Sequence, residues 1–250
     1  MDRKYWEDIA ANYNQEIFDV LRNDRSGVIV SAIEKLASKE KTVIDIGCAV
    51  GKWLPLLANN FRHVIAADIS AANLEIAKEK CREFTNIEYV RMDMSADKSN
   101  ITPCNVAVCI NAILTSSLKK RINFFKSLSR CLVDDGDLVL VVPSLESSMY
   151  TSIIRKRWKV DKEKRGSNSP RTAIKKLKNL KQGNVEIDGV PTKHYLESEL
   201  ELLLSMDGFT INTIEKVEYS WKTEFIQPPK WLKHPYPWDW MCVARKAVSQ

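Results

Sequence analysis

The chain has 250 residues, 44% of them hydrophobic, which is enough to bury one large α/β core or two small ones. No apolar run approaches the roughly 20 residues of a membrane helix, and the opening MDRKYWEDIA has no apolar signal region, so a cytoplasmic protein is expected. The net charge of +6 is local: from Arg155 to Lys181 there are 12 Lys and Arg against two acids, Asp161 and Glu163, while the remainder is acidic. That limits any argument for a general polyanion binder. Six cysteines stand singly with no C-x-x-C pair, which argues for buried reduced thiols and against a zinc site.

In chain order, Tyr5, Ile9, Tyr13, Ile17 and Val20-Leu21 recur near helical spacing and predict one helix. A second helix is expected over Ser26–Ser38, with Val28, Ile29, Ala32, Ile33 and Leu36 on one face. Then comes TVIDIGCAVGKW, Thr42 to Trp53. A short apolar run with one acid, Asp45, is broken by Gly47 and Gly51. This reads as a buried strand, a tight turn that lets a ligand approach bare backbone, and a helix start. Amide N–H groups of such a turn can meet a carboxylate or hydroxyl, and Asp45 is placed to accept from an ammonium group.

The spacing is neither the dinucleotide G-x-G-x-x-G nor a phosphate loop. The pattern acid-x-Gly-x-Gly-x-Gly, with Ala49 at the middle glycine, resembles motif I of the class I S-adenosylmethionine-dependent methyltransferases. The resemblance implies that Gly47, Cys48, Ala49 and Gly51 wrap the methionine and ribose portion of S-adenosyl-L-methionine. It also implies a lid: Trp6, Ala10 or Ala11, and Tyr13 loosely match a Trp…Ala…Tyr pattern that covers the cofactor, a role compatible with simple core packing.

A crossover helix is expected over Gly51–Asn60, with Pro55 in its first turn, followed by a strand, His63–Ile69. Asp68 near its tip, followed by Ile69, is placed to take both hydroxyls of a ribose; capping of the next helix is the competing role. A helix over Ala71–Phe84 and a strand over Ile87–Met92 lead to Asp93-Met94. By resemblance, Asp93 accepts from the adenine amino group and Met94 stacks on the ring; Asp93 as a turn former is the alternative. The strand Asn105–Ile110 ends at Asn111. Ligands of open parallel sheets lie at carboxyl strand ends, so Asn111–Leu114 is the candidate face for the transferred methyl. The Asn/Asp-Pro-Pro-aromatic motif of DNA adenine methyltransferases is absent there.

A helix over Ser116–Leu132, an Asp134–Asp137 turn and a strand over Leu138–Val142 follow. The interval from Ser144 to Lys193 exceeds ordinary connections. It is expected to hold helices on both sides of a Gly166–Pro170 loop, and in the family such inserts form the substrate cover. Its basic cluster suits an acidic substrate, RNA phosphates or a solvated helix pair. Only Trp158 and Tyr150 interleave with the charges, which weakens a nucleic-acid reading. Thr192–Leu200 resumes the family pattern, before a Gly208-Phe209 turn. A sixth strand is expected over Thr210–Trp221, with Ile211, Thr213 and Val217 alternating. After a Gln227–Pro237 loop, a last strand over Trp238–Arg245 is antiparallel in the family and inserts between the fifth and sixth.

The expected fold is therefore a seven-stranded, mostly parallel Rossmann-like α/β sheet. Residues 1–250 are read as one methyltransferase domain, with a helical lid over 1–40 and a basic insert over 144–193. The expected activity is methyl transfer from S-adenosyl-L-methionine to a small-molecule acceptor at O, N or C, without a metal. His194 and Tyr13 are the candidate catalytic groups, with Glu146 weaker. Alternatives are an RNA or protein methyltransferase docking on the insert, a non-catalytic cofactor-binding module, and a nicotinamide-dependent oxidoreductase, which the glycine spacing disfavours.

Overall fold

The structure, a computed structural model, describes residues 3–96, 102–158, 182–187 and 189–248. Its centre is a seven-stranded sheet in the order β3-β2-β1-β4-β5-β9-β8. The strands are β1 (Thr42–Ile46), β2 (His63–Asp68), β3 (Ile87–Arg91), β4 (Cys104–Ile110), β5 (Leu132–Pro143), β8 (Phe209–Glu218) and β9 (Trp238–Lys246). β9 is antiparallel to both neighbours and the other pairings are parallel, as the last-strand insertion requires. The chain winds outward from β1 to β3 and then returns to β4 on β1's other side. That reversal opens a crevice at the carboxyl ends of β1 and β4.

Both faces of the sheet are covered, which is why the central strands are continuous apolar runs. Ile44 and Ile46 of β1 and Leu138, Leu140 and Val142 of β5 pack with α7 (Leu118–Arg130) and α9 (Glu197–Met206). The intervening Val43, Val139 and Val141 pack with α4 (Val28–Leu36), α5 (Leu54–Asn60) and α6 (Ala71–Lys80). This two-residue alternation assigns each side chain to one layer. All six cysteines are buried and free. Among the described residues, no helix is long and apolar enough to cross a membrane.

Three expectations are corrected. The N-terminal periodicity is not one helix but α1 (Arg3–Ile9), a 3₁₀ turn (Ala10–Asn12), α2 (Tyr13–Glu16) and α3 (Val20–Asn23). The break is at Ile17, which is extended at φ −105° and ψ 131°. Asp19 holds it by capping α3, accepting from Arg22 N at 3.1 Å and from Lys52 Nζ at 2.9 Å. In β8 the register shifts between Ile211 and Thr213, so Thr213 is exposed and the expected alternation is lost.

The third correction lies in the long interval. It opens as a helix, α8 (Leu145–Trp158), but ends in a hairpin of β6 (Asn184–Ile187) and β7 (Val190–Lys193). Residues 159–181, with the Gly166–Pro170 loop and most of the basic cluster, lie outside the described residues. The hairpin had a sequence signal: Asp188-Gly189 between two short strand-forming runs, with Gly189 at φ +81°. It docks over the end of β4, where Lys193 N donates to Leu114 O at 3.0 Å and Tyr195 Oη to Ile113 O at 3.1 Å.

Candidate functional site

A cleft of about 1160 Å³ opens at the carboxyl edge of the sheet. Its floor includes the turn after β1, where Gly47, Ala49 and Gly51 have φ of +75°, +48° and +80°. A Cβ on Gly47 would come within 2.6 Å of Ala112 Cβ, so only glycine passes there. Gly51 is not on the wall; its missing Cβ admits Ala77 of α6, which would lie 3.0 Å away. The amides expected to face a ligand are committed within the protein. Gly47 N and Cys48 N donate to Ala67 O at 2.8 and 3.1 Å, Ala49 N to Asp68 Oδ2 at 2.9 Å and Gly51 N to Cys48 O at 2.9 Å. The turn therefore offers a ligand close approach rather than those four donors.

The acids at the strand ends gather at this turn in different ways. Asp68, Ile69, Asp93, Met94 and Asn111 line the cleft, together with Gly47, Cys48 and Ala49. Asp45 does not line it; the side chain is buried next to Ile46 and Gly47, which do, and its Oδ2 has no hydrogen-bond partner among the described residues. Burial first, and then the Asp68 charge, push Asp45 up to about 7. Asp68 Oδ1 accepts from Ser70 N at 2.8 Å and weakly from Asn73 Nδ2 at 3.4 Å. Among the described residues its Oδ2 takes only Ala49 N, so acceptor capacity remains on that oxygen. Asp93 closes a tight turn, accepting from Ser95 N at 2.8 Å and Ser95 Oγ at 2.6 Å, so it forms the turn and also faces the cleft.

Two features escaped sequence reading. Glu7 of α1 reaches the N-terminus of α6, accepting from Ala71 N and Ala72 N at 3.0 Å each and from Ser70 Oγ at 2.9 Å. These bonds lower its pKa and tie α1 to the Ser70 that also holds Asp68. The second is Asp239 of β9, whose Oδ2 accepts from Asn111 Nδ2 at 2.9 Å and Tyr219 Oη at 2.7 Å. Burial raises the Asp239 pKa, and all three residues line the cleft. A lone acid among the apolar residues of WDWMCVAR was the available signal, of the same kind as Asp45.

Residues 43–136 match the family described as a methyltransferase domain. Over those residues the chain carries a methyltransferase domain. The architecture is shared with solved structures at low identity. A methyltransferase from Methanosarcina mazei is 18% identical, with 87% of this chain and 97% of that chain covered and a TM-score of 0.63. One from Anabaena variabilis is 16% identical, with 98% and 93% covered and a TM-score of 0.64. The N-methyltransferase NodS from Bradyrhizobium japonicum, in complex with S-adenosyl-L-homocysteine, is 11% identical, with 98% of each chain covered and a TM-score of 0.64.

The structure places the two catalytic candidates, His194 and Tyr13, on the cleft wall, but in states that suit neither to abstract protons near neutrality. His194 is buried, which lowers its pKa to about 4, and its Nδ1 lies 3.1 Å from Thr192 O. A carbonyl partner makes that nitrogen the N–H donor. Tyr13 is pushed up by burial and by the Asp68 charge, so its phenol keeps the proton. Glu146 does not line the cleft. It ties α8 to β9 and α9, accepting from Trp240 Nε1 and Glu197 N at 3.0 Å each. Among the described residues, no group of three or more His, Cys, Asp and Glu could hold a metal ion.

Proposed function

We propose that this cleft binds S-adenosyl-L-methionine along the turn after β1 and delivers its methyl to a small-molecule acceptor. The observation carrying this reading is a deep cleft, walled by Trp6, Tyr13 and Phe18 on the N-terminal side and by α8 and the β6–β7 hairpin on the other. At about 1160 Å³ it exceeds the usual 300–1,000 Å³ or so of a single drug-sized ligand, leaving room beyond the cofactor. An unpartnered Asp45 oxygen beneath the turn suits a cationic cofactor.

In this reading Asp68 Oδ2 accepts from one ribose hydroxyl, and the second displaces the long Asn73 contact on Oδ1. Asp93 accepts from the adenine amino group, with Met94 and Ile69 against the ring. Asp45 supplies negative potential under the methionine end, while Gly47, Cys48 and Ala49 let it approach and Gly51 holds α6 close to the turn. The N-terminal segment acts as the lid, latched by Glu7 on α6, and excludes water. Once bound, the cofactor supplies an electrophilic methyl on a sulfonium, so the protein's task is mainly alignment. Asn111, held by Asp239, orients the acceptor; an acceptor that must lose a proton has the buried Asp239 carboxylate at hand, whereas His194 and Tyr13 shape the pocket.

The test uses methyl-labelled S-adenosyl-L-methionine with a cell extract separated into dialysable and macromolecular fractions. Label is expected in the dialysable fraction. Label confined to RNA or protein contradicts the small-molecule reading.

A further inference from the structure

The cofactor assignments leave a second set of polar groups in the cleft unused. Thr151 of α8, Asn184 at the start of β6 and Trp238 at the start of β9 line it while being only 4%, 6% and 8% exposed. Thr151 Oγ1, Asn184 Oδ1 and Trp238 Nε1 have no hydrogen-bond partner among the described residues. Asn111 Oδ1 is in the same position, because Asp239 engages the other end of that amide. An unmet buried polar group destabilises the fold, and Val, Leu and Phe would fill the same wall without that cost.

Separate elements build this wall. Trp238 N donates to Ser147 Oγ at 2.8 Å, and Ser147 lies one turn before Thr151 on the buried face of α8. Tyr150 packs on the Trp238 ring with centroids 6.4 Å apart. Asn184 is fixed by pairing with Lys193, whose Nζ is anchored to Glu199 at 2.6 Å and His194 O at 2.8 Å.

We propose that α8, β6 and the start of β9 form the methyl-acceptor subsite, and that it selects an uncharged acceptor bearing hydroxyl or carboxamide groups. The inference rests on the methyl-transfer reading of the cleft. Trp238 Nε1 can only donate, Asn184 Oδ1 and Asn111 Oδ1 can only accept, and Thr151 Oγ1 does either. A hydroxyl or carboxamide meets both kinds at once. A carboxylate or phosphate faces two obligate acceptors, and an ammonium leaves the indole N–H unmet. Of the charged residues lining the same side, Arg155 and Lys156 stand against Glu186 and Glu224, and Asp239 at the start of β9 is engaged by Asn111 and Tyr219.

The test compares wild type with Thr151→Val and Trp238→Phe. Protein saturated with S-adenosyl-L-homocysteine is titrated with matched pairs: nicotinamide and nicotinate, catechol and dihydroxybenzoate, glycerol and glycerate. The neutral member of at least one pair is expected to bind more tightly, and both variants to bind it about tenfold more weakly. Thr151→Val, being nearly isosteric, is expected to leave the ligand-free melting temperature unchanged or raised. No neutral preference in any pair, or no binding by any member, overturns the proposal, as does a Thr151→Val protein several degrees less stable. S-adenosyl-L-methionine affinity, expected to stay within about twofold in both variants, is measured separately. If wild type fails to bind S-adenosyl-L-methionine, the methyl-transfer reading itself has failed.

Discussion

Asp68→Ala is expected to bind S-adenosyl-L-methionine about 100-fold more weakly than wild type in a calorimetric titration. Hydrogen bonds to a charged partner contribute roughly 1.5–3 kcal/mol each, and about 1.4 kcal/mol is tenfold in affinity. Two ribose hydroxyls on one carboxylate thus account for a loss of this order. The same substitution strips acceptors from Ala49 N and Ser70 N, so the melting temperature should fall as well. Asp68→Asn keeps one carbonyl oxygen and should fall between the two in affinity. Unchanged affinity in Asp68→Ala would remove Asp68 from the site.

Asp45→Asn should do something less usual: stabilise the free protein while weakening cofactor binding. The folded pKa of Asp45 is raised to about 7 from an ordinary 3.8. Ionisation of this buried carboxylate therefore opposes folding fully above about pH 7, and the penalty fades as pH falls from 7 towards 4. Asp45→Asn should be more stable at pH 8, on the order of 2–4 kcal/mol or about 5–10 °C in Tm, with no gain near pH 4. Removing the negative charge should also cost S-adenosyl-L-methionine about tenfold in affinity. S-adenosyl-L-homocysteine, which lacks the sulfonium charge, should lose less. Equal losses for the two ligands would show that Asp45 does not act through charge.

The sheet was readable because both its faces are buried. Runs such as TVIDI and LVLVV have no other comfortable state, and Gly47 and Gly51 mark where backbone must turn left-handed. The acids were readable for the converse reason, since an Asp ending such a run is costly without a task. What failed was short or non-local. The N-terminal break depends on Asp19 meeting Lys52, 33 residues away, and the Glu7 latch on α6 spans more than 60 residues. Neither leaves a periodic trace. The β6–β7 hairpin was legible in Asp188-Gly189, but four-residue strands carry too little alternation to outweigh the surrounding helical charge pattern. Asp239 is harder to read than Asp45 because its partners, Asn111 and Tyr219, come from different strand ends.

The geometry of the bound cofactor tests the account most directly. In a crystal structure of the complex with S-adenosyl-L-homocysteine, the ribose should hydrogen-bond to Asp68, the adenine should lie between Ile69 and Met94 with its amino group on Asp93, and the homocysteine should run along Gly47–Ala49. A nucleoside seated elsewhere, or one that leaves Asp68 and Asp93 untouched, would contradict it.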